Sequence, residues 1–161
     1  MRLLEIVYEK ILKRPAPYYA KYPLWLLLWK PVRKFLNVTI IPNIPFNNVR
    51  VAMYRMIGYK IGKNVFIGMK CYLDDVVPEN ISIGDNVTIS YGCYFACHGK
   101  GQGRTTIVIE DDVYIGMRAN LISGKKGIRI KKGAVIGAAS LVNKDVEEGE
   151  AVAGVPARRI G

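Results

Sequence analysis

The sequence predicts a mainly β chain: a parallel β-helix of about four coils behind an N-terminal helical segment. Three observations lead there. Apolar residues recur at every sixth position from Ile61 onward, and small residues follow four places behind them. The first sixty residues instead carry helical patterning and most of the positive charge. The division is therefore 1–60, a basic, aromatic-rich helical segment, and 61–161, a repeat domain with a C-terminal tail. At 161 residues the chain suits a single core.

Leu3, Leu4, Val7 and Ile11 stand at helical spacing, which predicts an amphipathic helix over 2–13, ended by Pro15 and Pro17. A second short helix is expected over Tyr18–Trp29, stopped by Pro31. Its aromatics Tyr18, Tyr19, Tyr22, Trp25 and Trp29 sit beside Lys21, Lys30, Arg33 and Lys34. That is the composition of a segment lying at a membrane surface, and equally of aromatics that cap a core or meet a neighbouring subunit. Residues 37–46 read as extended and broken by Pro42 and Pro45. Asn48 is placed to cap a helix over Val49–Ile57 with Val49, Met53, Met56 and Ile57 as its apolar stripe, closed by Gly58.

The six-residue period then takes over. Ile61, Ile67 and Leu73 are followed by Ile83, Ile89 and Phe95, then Ile109, Ile115 and Leu121, then Ile130, Ile136 and Val142. Four places behind them come small residues or Val, such as Cys71, Cys93, Gly99, Ala119 and Ser140, with Lys125 the exception. One large and one small inward residue per six make a short strand and a turn, and three such units make a triangular coil. Coils are expected at 61–78, 83–100, 109–126 and 130–147. Their starts lie 22, 26 and 21 apart, surpluses of 4, 8 and 3 over eighteen. The largest surplus follows His98, the only histidine, so 99–106 should leave the solenoid as a loop. The helix over 49–57 should cap the first coil, since open solenoid ends must be covered.

The net charge of +11 is uneven: residues 1–60 hold eleven Lys/Arg against Glu5 and Glu9, and 61–161 hold thirteen against eleven acids. Such a segment is drawn to phosphate, as an anionic membrane or a phosphate-bearing acceptor. Three cysteines with no ligand spacing argue against structural zinc and against a disulfide scaffold. Charged residues throughout 1–12 make a secretory signal unexpected, and Leu24–Trp29 is far too short to cross a bilayer. The expected location is the cytoplasm, with the inner face of the membrane as the site to which the basic segment would take it.

Three stretches together, Ile83-Gly-Asp-Asn-Val-Thr-Ile-Ser, Ile109-Glu-Asp-Asp-Val-Tyr-Ile-Gly and Ala153-Gly-Val-Pro-Ala-Arg-Arg-Ile, resemble the hexapeptide-repeat acyltransferases. The resemblance covers about residues 58–161 and is nearest to acetyl-CoA-dependent O-acetyltransferases of sugars and polysaccharides, with serine acetyltransferase-like features in the tail. It implies a left-handed β-helix, a hand that parallel crossovers rarely take. It also implies a homotrimer with acetyl-CoA as cosubstrate and no metal.

In that family a His before an extended loop takes the proton of the acceptor hydroxyl, the place His98 occupies here, with Asp74 or Asp75 in the preceding coil as its orienter. Matching positions for coenzyme A are Tyr114, Ala138, Asn143, Lys144 and Arg158. Lys100 and Arg104 in the loop become candidate contacts to a sugar or sugar-phosphate acceptor. Lys125, Lys126, Lys131 and Lys132 read as solvated corners. N-acetylation of an amino sugar, serine O-acetylation and longer acyl groups stay open. A single His cannot supply the three ligands of a hexapeptide-fold carbonic anhydrase. A structural β-helix would not need the His, its loop and this tail together, and the N-terminal aromatics do not follow a nucleic-acid-binding stripe.

Overall fold

The computed structural model describes residues 3–15, 24–99 and 103–161. The chain gathers into two compact units, Met1–Leu36 and Asn37–Gly161, so residues 37–60 belong with the coils.

In the first unit α1 (Leu3–Ile6) passes into a π-helical turn, Val7–Ile11. The second helix, α2, is Leu24–Phe35. Tyr18, Tyr19, Lys21 and Tyr22, at the start of the expected helix, lie outside the described residues. Pro31 does not stop α2 but sits inside it. Its fixed φ is helical, so the chain continues at the cost of one missing N–H. Among the described residues no helix is long and apolar enough to cross a membrane.

Residues 37–43 are not extended, while Ile44 and Phe46 beyond them keep extended backbone. Leu36–Ile40 form a π-helical turn and Ile41–Asn43 a 3-10 turn that carries Pro42 in its first positions, where an N–H is not needed. The β-branched run Val38-Thr39-Ile40-Ile41 suggested a strand. Long-range contacts override that propensity: Ile41 is fully buried, and buried Asn37 donates from Nδ2 to the Leu73 carbonyl at 2.6 Å.

Helix α3 (Asn47–Met56) starts two residues earlier than a cap at Asn48 would allow, with Phe46 at its N-cap. Asn47 instead spends its amide on the first coil, donating to the Val65 carbonyl and accepting from the Ile67 N–H, both at 3.0 Å. The buried face is Arg50, Val51, Tyr54 and Ile57, whereas Val49 and Met56 are exposed. The stripe turned because Arg50 goes inward. Its guanidinium donates to the carbonyls of Ile67 and Ile44, and burial lowers its pKa. These groups cap the first coil as the solenoid requires, and Gly58 at φ +114° closes the helix.

The coils have three faces. The first stacks β1 (Lys60–Ile61), β3 (Ile81–Ile83), β8 (Ile107–Ile109) and β11 (Ile128–Ile130); the second β2 (Phe66–Ile67), β4 (Thr88–Ile89), β9 (Tyr114–Ile115) and β12 (Val135–Ile136). The third stacks β5 (Tyr94–Ala96), β10 (Asn120–Ile122) and β13 (Leu141–Val142), with Tyr72 bridging to Tyr94 below. All these pairs are parallel and in register along the sixfold slots, for example Ile67↔Ile89 and Ile115↔Ile136. Eleven of the twelve slots are buried; Ile61, in the capped coil, is half-buried.

Two of the three corners repeat a left-handed backbone. At the first, Asn64, Asn86, Asp112, Gly133 and Gly149 all have positive φ; at the second, Lys70, Gly92, Arg118, Ala139 and Gly154 do. Asn, Asp and Gly are the residues that enter this region cheaply. At the first corner the side chains also form a ladder, Asn64 Nδ2 to Asn86 Oδ1 and Asn86 Nδ2 to Asp112 Oδ1. Glycines after the large residue let coils close: a Cβ on Gly116 would stand 2.6 Å from the Ala138 nitrogen. The third corner has no such repeat and takes all the surplus length.

After His98 the chain forms a hairpin, β6 (His98–Gly99) antiparallel to β7 (Gly103–Arg104). Gly99 is therefore exposed, not inward as its sixfold slot implied, because the hairpin lifts the strand off the coil. The tail begins another turn. β14 (Ala151–Ala153) adds in parallel to β12, and β15 (Arg158–Arg159) folds back antiparallel on β14.

Candidate functional site

The third corner brings together residues from two coils. His98 Nδ1 lies 2.5 Å from Asp74 Oδ2, with the His98 side chain 44% exposed and Asp74 fully buried. The same carboxylate accepts the Cys97 N–H on Oδ2 at 2.6 Å and the Val76 N–H on Oδ1 at 3.0 Å. Three donors leave it little rotational freedom. Nδ1, facing a carboxylate oxygen, carries the proton, so Nε2 presents the free lone pair on the half-exposed ring. The structure thus separates the two candidate orienters. Asp75 accepts a hydrogen bond from the Tyr72 hydroxyl at 2.5 Å instead, and Tyr72 stacks on Tyr94 with ring centres 4.5 Å apart.

Behind Asp74 lies a network that sequence reading missed. The Tyr59 hydroxyl sits 2.9 Å from the Leu73 and Asp74 carbonyls and 3.0 Å from Asn37 Oδ1. Tyr59 and Asn37 are both buried, and burial pushes the Tyr59 hydroxyl pKa well up, so it stays a donor. Nothing at positions 37 and 59 marks them in sequence, since their partners are main-chain atoms of another coil. Tyr59→Phe should lower stability by about 1–3 kcal/mol in denaturant unfolding, the cost of leaving buried acceptors unpaired.

Around the hairpin base, the Thr105 N–H donates to the Cys97 carbonyl at 2.9 Å, and buried Thr105 and Ser123 hydroxyls meet at 2.5 Å. Ser123 donates onward to the Ala96 carbonyl at 3.1 Å. Cys97, beside His98, is buried; burial and the nearby Asp74 charge push its thiol up to about 12. It keeps its proton at neutral pH and does not offer a thiolate nucleophile. Arg104 is exposed, and its backbone pairs directly opposite His98. Lys100 lies outside the described residues.

Of the positions matched to coenzyme A, Asn143, Lys144 and Arg158 line one groove of about 270 Å³, together with Arg159, Asp145 and Glu150. A second groove of about 450 Å³ shares Asn143 and Lys144 and adds Lys125 and Lys126. Those two lysines are exposed, as read from the sequence, but they flank the same strip. Lys131 and Lys132 are corner residues paired with Glu147 and Asp112. Tyr114 and Ala138 lie apart from these grooves. Tyr114 stands on the outer side of the second face between Thr88 and exposed Val135, with exposed Phe66 beyond Thr88, and Ala138 stacks over Gly116 at the second corner. Among the described residues no cluster of His, Cys, Asp and Glu is placed to hold a metal ion.

A model of the hexapeptide repeat of succinyl-transferases matches residues 59–95 and 106–144. YvoF of Bacillus subtilis, which bears an acetyltransferase name, is 32% identical over 141 residues, 81% of this chain and 77% of that protein. The serine acetyltransferase of Bacillus pumilus is 36% identical over 105 residues, 63% of this chain; the chain spans only 47% of that relative's length. Among solved structures, a hexapeptide-repeat acetyltransferase of Vibrio cholerae complexed with acetyl coenzyme A superposes with a TM-score of 0.70 at 27% identity, covering 95% of this chain and 96% of that one.

Proposed function

The chain belongs to the hexapeptide-repeat acetyltransferases, whose fold is the left-handed parallel β-helix, and from that premise we propose that it moves an acetyl group from acetyl-CoA to a hydroxyl of a sugar, nucleotide-sugar or lipid-linked polysaccharide acceptor. The observation that carries this reading is the His98–Asp74 pair, with Nδ1 tied to a buried carboxylate and Nε2 left free at the surface. Bound acetyl-CoA supplies an acyl carbon already activated as a thioester. His98 Nε2 takes the hydroxyl proton as the acceptor oxygen attacks that carbon, then returns it to the sulfur as the C–S bond breaks. Asp74 holds the tautomer and stabilises the imidazolium that forms between the two transfers. Cys97 is buried, and burial with the nearby Asp74 charge keeps its thiol protonated, so the proposed transfer passes directly from thioester to acceptor without using it.

The strip formed by Asn143, Lys144 and Arg158 offers the cosubstrate cations for phosphate and an amide for the pantetheine arm, with Arg159 adding charge against the neighbouring Asp145 and Glu150. Lys144→Gln with Arg158→Gln should raise KM for acetyl-CoA about tenfold with little change in kcat. A homotrimer is part of the proposal. The outer column Phe66, Thr88, Tyr114 and Val135, apolar but for Thr88 and joined by exposed Tyr94 and Met117, suits a subunit contact. Light scattering tests it, and a stable monomer would overturn the homotrimer.

The acceptor is tested by thiol release from acetyl-CoA over a panel of sugars, nucleotide-sugars, amino sugars and serine. The match to serine acetyltransferases favours serine as the second reading. A serine turnover above every sugar would establish it in place of the first.

A further inference from the structure

We propose that the N-terminal unit is an interfacial anchor that lays α2 flat on an anionic lipid leaflet. The helix carries Trp25, Leu28, Trp29, Val32 and Phe35 at spacings of three and four, one stripe down one side. A folded protein ordinarily turns such a stripe inward. Here every member is exposed, Trp25 by 67% and Leu28 by 73%. Lys30 and Lys34 stand on the opposite side of the helix, with Arg33 at the border of the stripe. Exposed Ile11 and Leu12 beside Lys10, Lys13 and Arg14 repeat the combination at the end of the first helical stretch.

Charge selects the occupant. From Lys10 to Leu36 the chain has seven basic residues (10, 13, 14, 21, 30, 33 and 34) and no acidic one; the next acid after Glu9 is Asp74. A second copy of this segment would bring like charge against like charge. An anionic leaflet supplies the opposite sign, and its acyl layer takes the Trp and Leu side chains. Twelve residues of helix reach about 18 Å, too short to cross, so the helix lies in the interface plane, with the stripe in the lipid and the lysines at the headgroups.

The test uses the full chain and vesicles of phosphatidylcholine with and without phosphatidylglycerol. Trp25 and Trp29 are the only tryptophans, so their emission reports on this helix alone. The expected result is co-sedimentation with the anionic vesicles, a blue shift on binding, and release by high salt. Trp25→Glu with Leu28→Glu should weaken binding at least tenfold with circular dichroism and oligomeric mass unchanged. Lys30→Gln and Lys34→Gln, which keep the stripe, should each weaken it about fivefold. Polyglutamate, an anion without acyl chains, should give no blue shift. The proposal fails if the wild type ignores anionic vesicles, if the Glu variant binds as well, or if polyglutamate shifts the emission as vesicles do, which would mark the stripe as a surface for an acidic protein. None of these readouts depends on the acceptor or on catalysis.

Discussion

His98→Ala should lower kcat for acetyl transfer by about 10²–10⁴-fold, the range a positioned general base contributes. It should leave KM for acetyl-CoA close to its original value, because the ring lies apart from the Asn143–Lys144–Arg158 strip by every contact the structure shows. Stability should fall by no more than about 1–2 kcal/mol, since the buried Asp74 carboxylate keeps its Cys97 and Val76 donors when the imidazole goes. Activity and folding are therefore separable, by steady-state thiol release and by denaturant unfolding. Unchanged turnover in a folded variant would overturn the catalytic assignment.

Asp74→Asn is expected to be nearly as damaging by a different route. The carboxylate faces three donors at once: Nδ1 of His98 and the N–H groups of Cys97 and Val76. An amide can accept on only one side. If its oxygen faces Val76, its NH₂ meets the Cys97 N–H and forces the proton of His98 onto Nε2, and the base is lost. If it flips, the NH₂ opposes the Val76 N–H inside the protein. The first arrangement should cost on the order of 10²–10⁴ in kcat, and either costs about 1–3 kcal/mol of stability. Asp75→Asn serves as the control, since Asp75 bonds to Tyr72 instead. If the Asp75 variant loses activity and the Asp74 variant keeps it, the roles are reversed.

Much of this was legible in the sequence, for physical reasons. A prism of stacked coils admits one large residue per face and period, so the sixfold slots had to show, and the insertion after His98 had to fall where no stacked strand is cut. Local spacing said less wherever a residue's role comes from another coil. Asp74 and Asp75 are the same residue type side by side; only the fold sends one beneath the His98 ring and the other to Tyr72. Tyr59 and Asn37 act on main-chain carbonyls from outside the repeat. The β-branched run over 38–41 reads as strand on propensity alone and winds into turns because Asn37 and Ile41 are buried against the first coil. Gly99 followed the period in sequence and left it in space when the hairpin formed.

The two corners with repeating left-handed residues and the irregular third divide the labour along edges of the prism. Strand registry is fixed by the first two, where each coil makes the same turn as the one below. Length differences, the imidazole and its carboxylate all sit on the third. The molecule is in effect a ruler with one erasable margin: corners of unequal length there leave Ile81–Ile83, Ile107–Ile109 and Ile128–Ile130 in register. Acceptor range could then be re-engineered by grafting hairpins onto that margin, with Thr105, Ser123 and Asp74 kept as the fixed socket into which each graft is set.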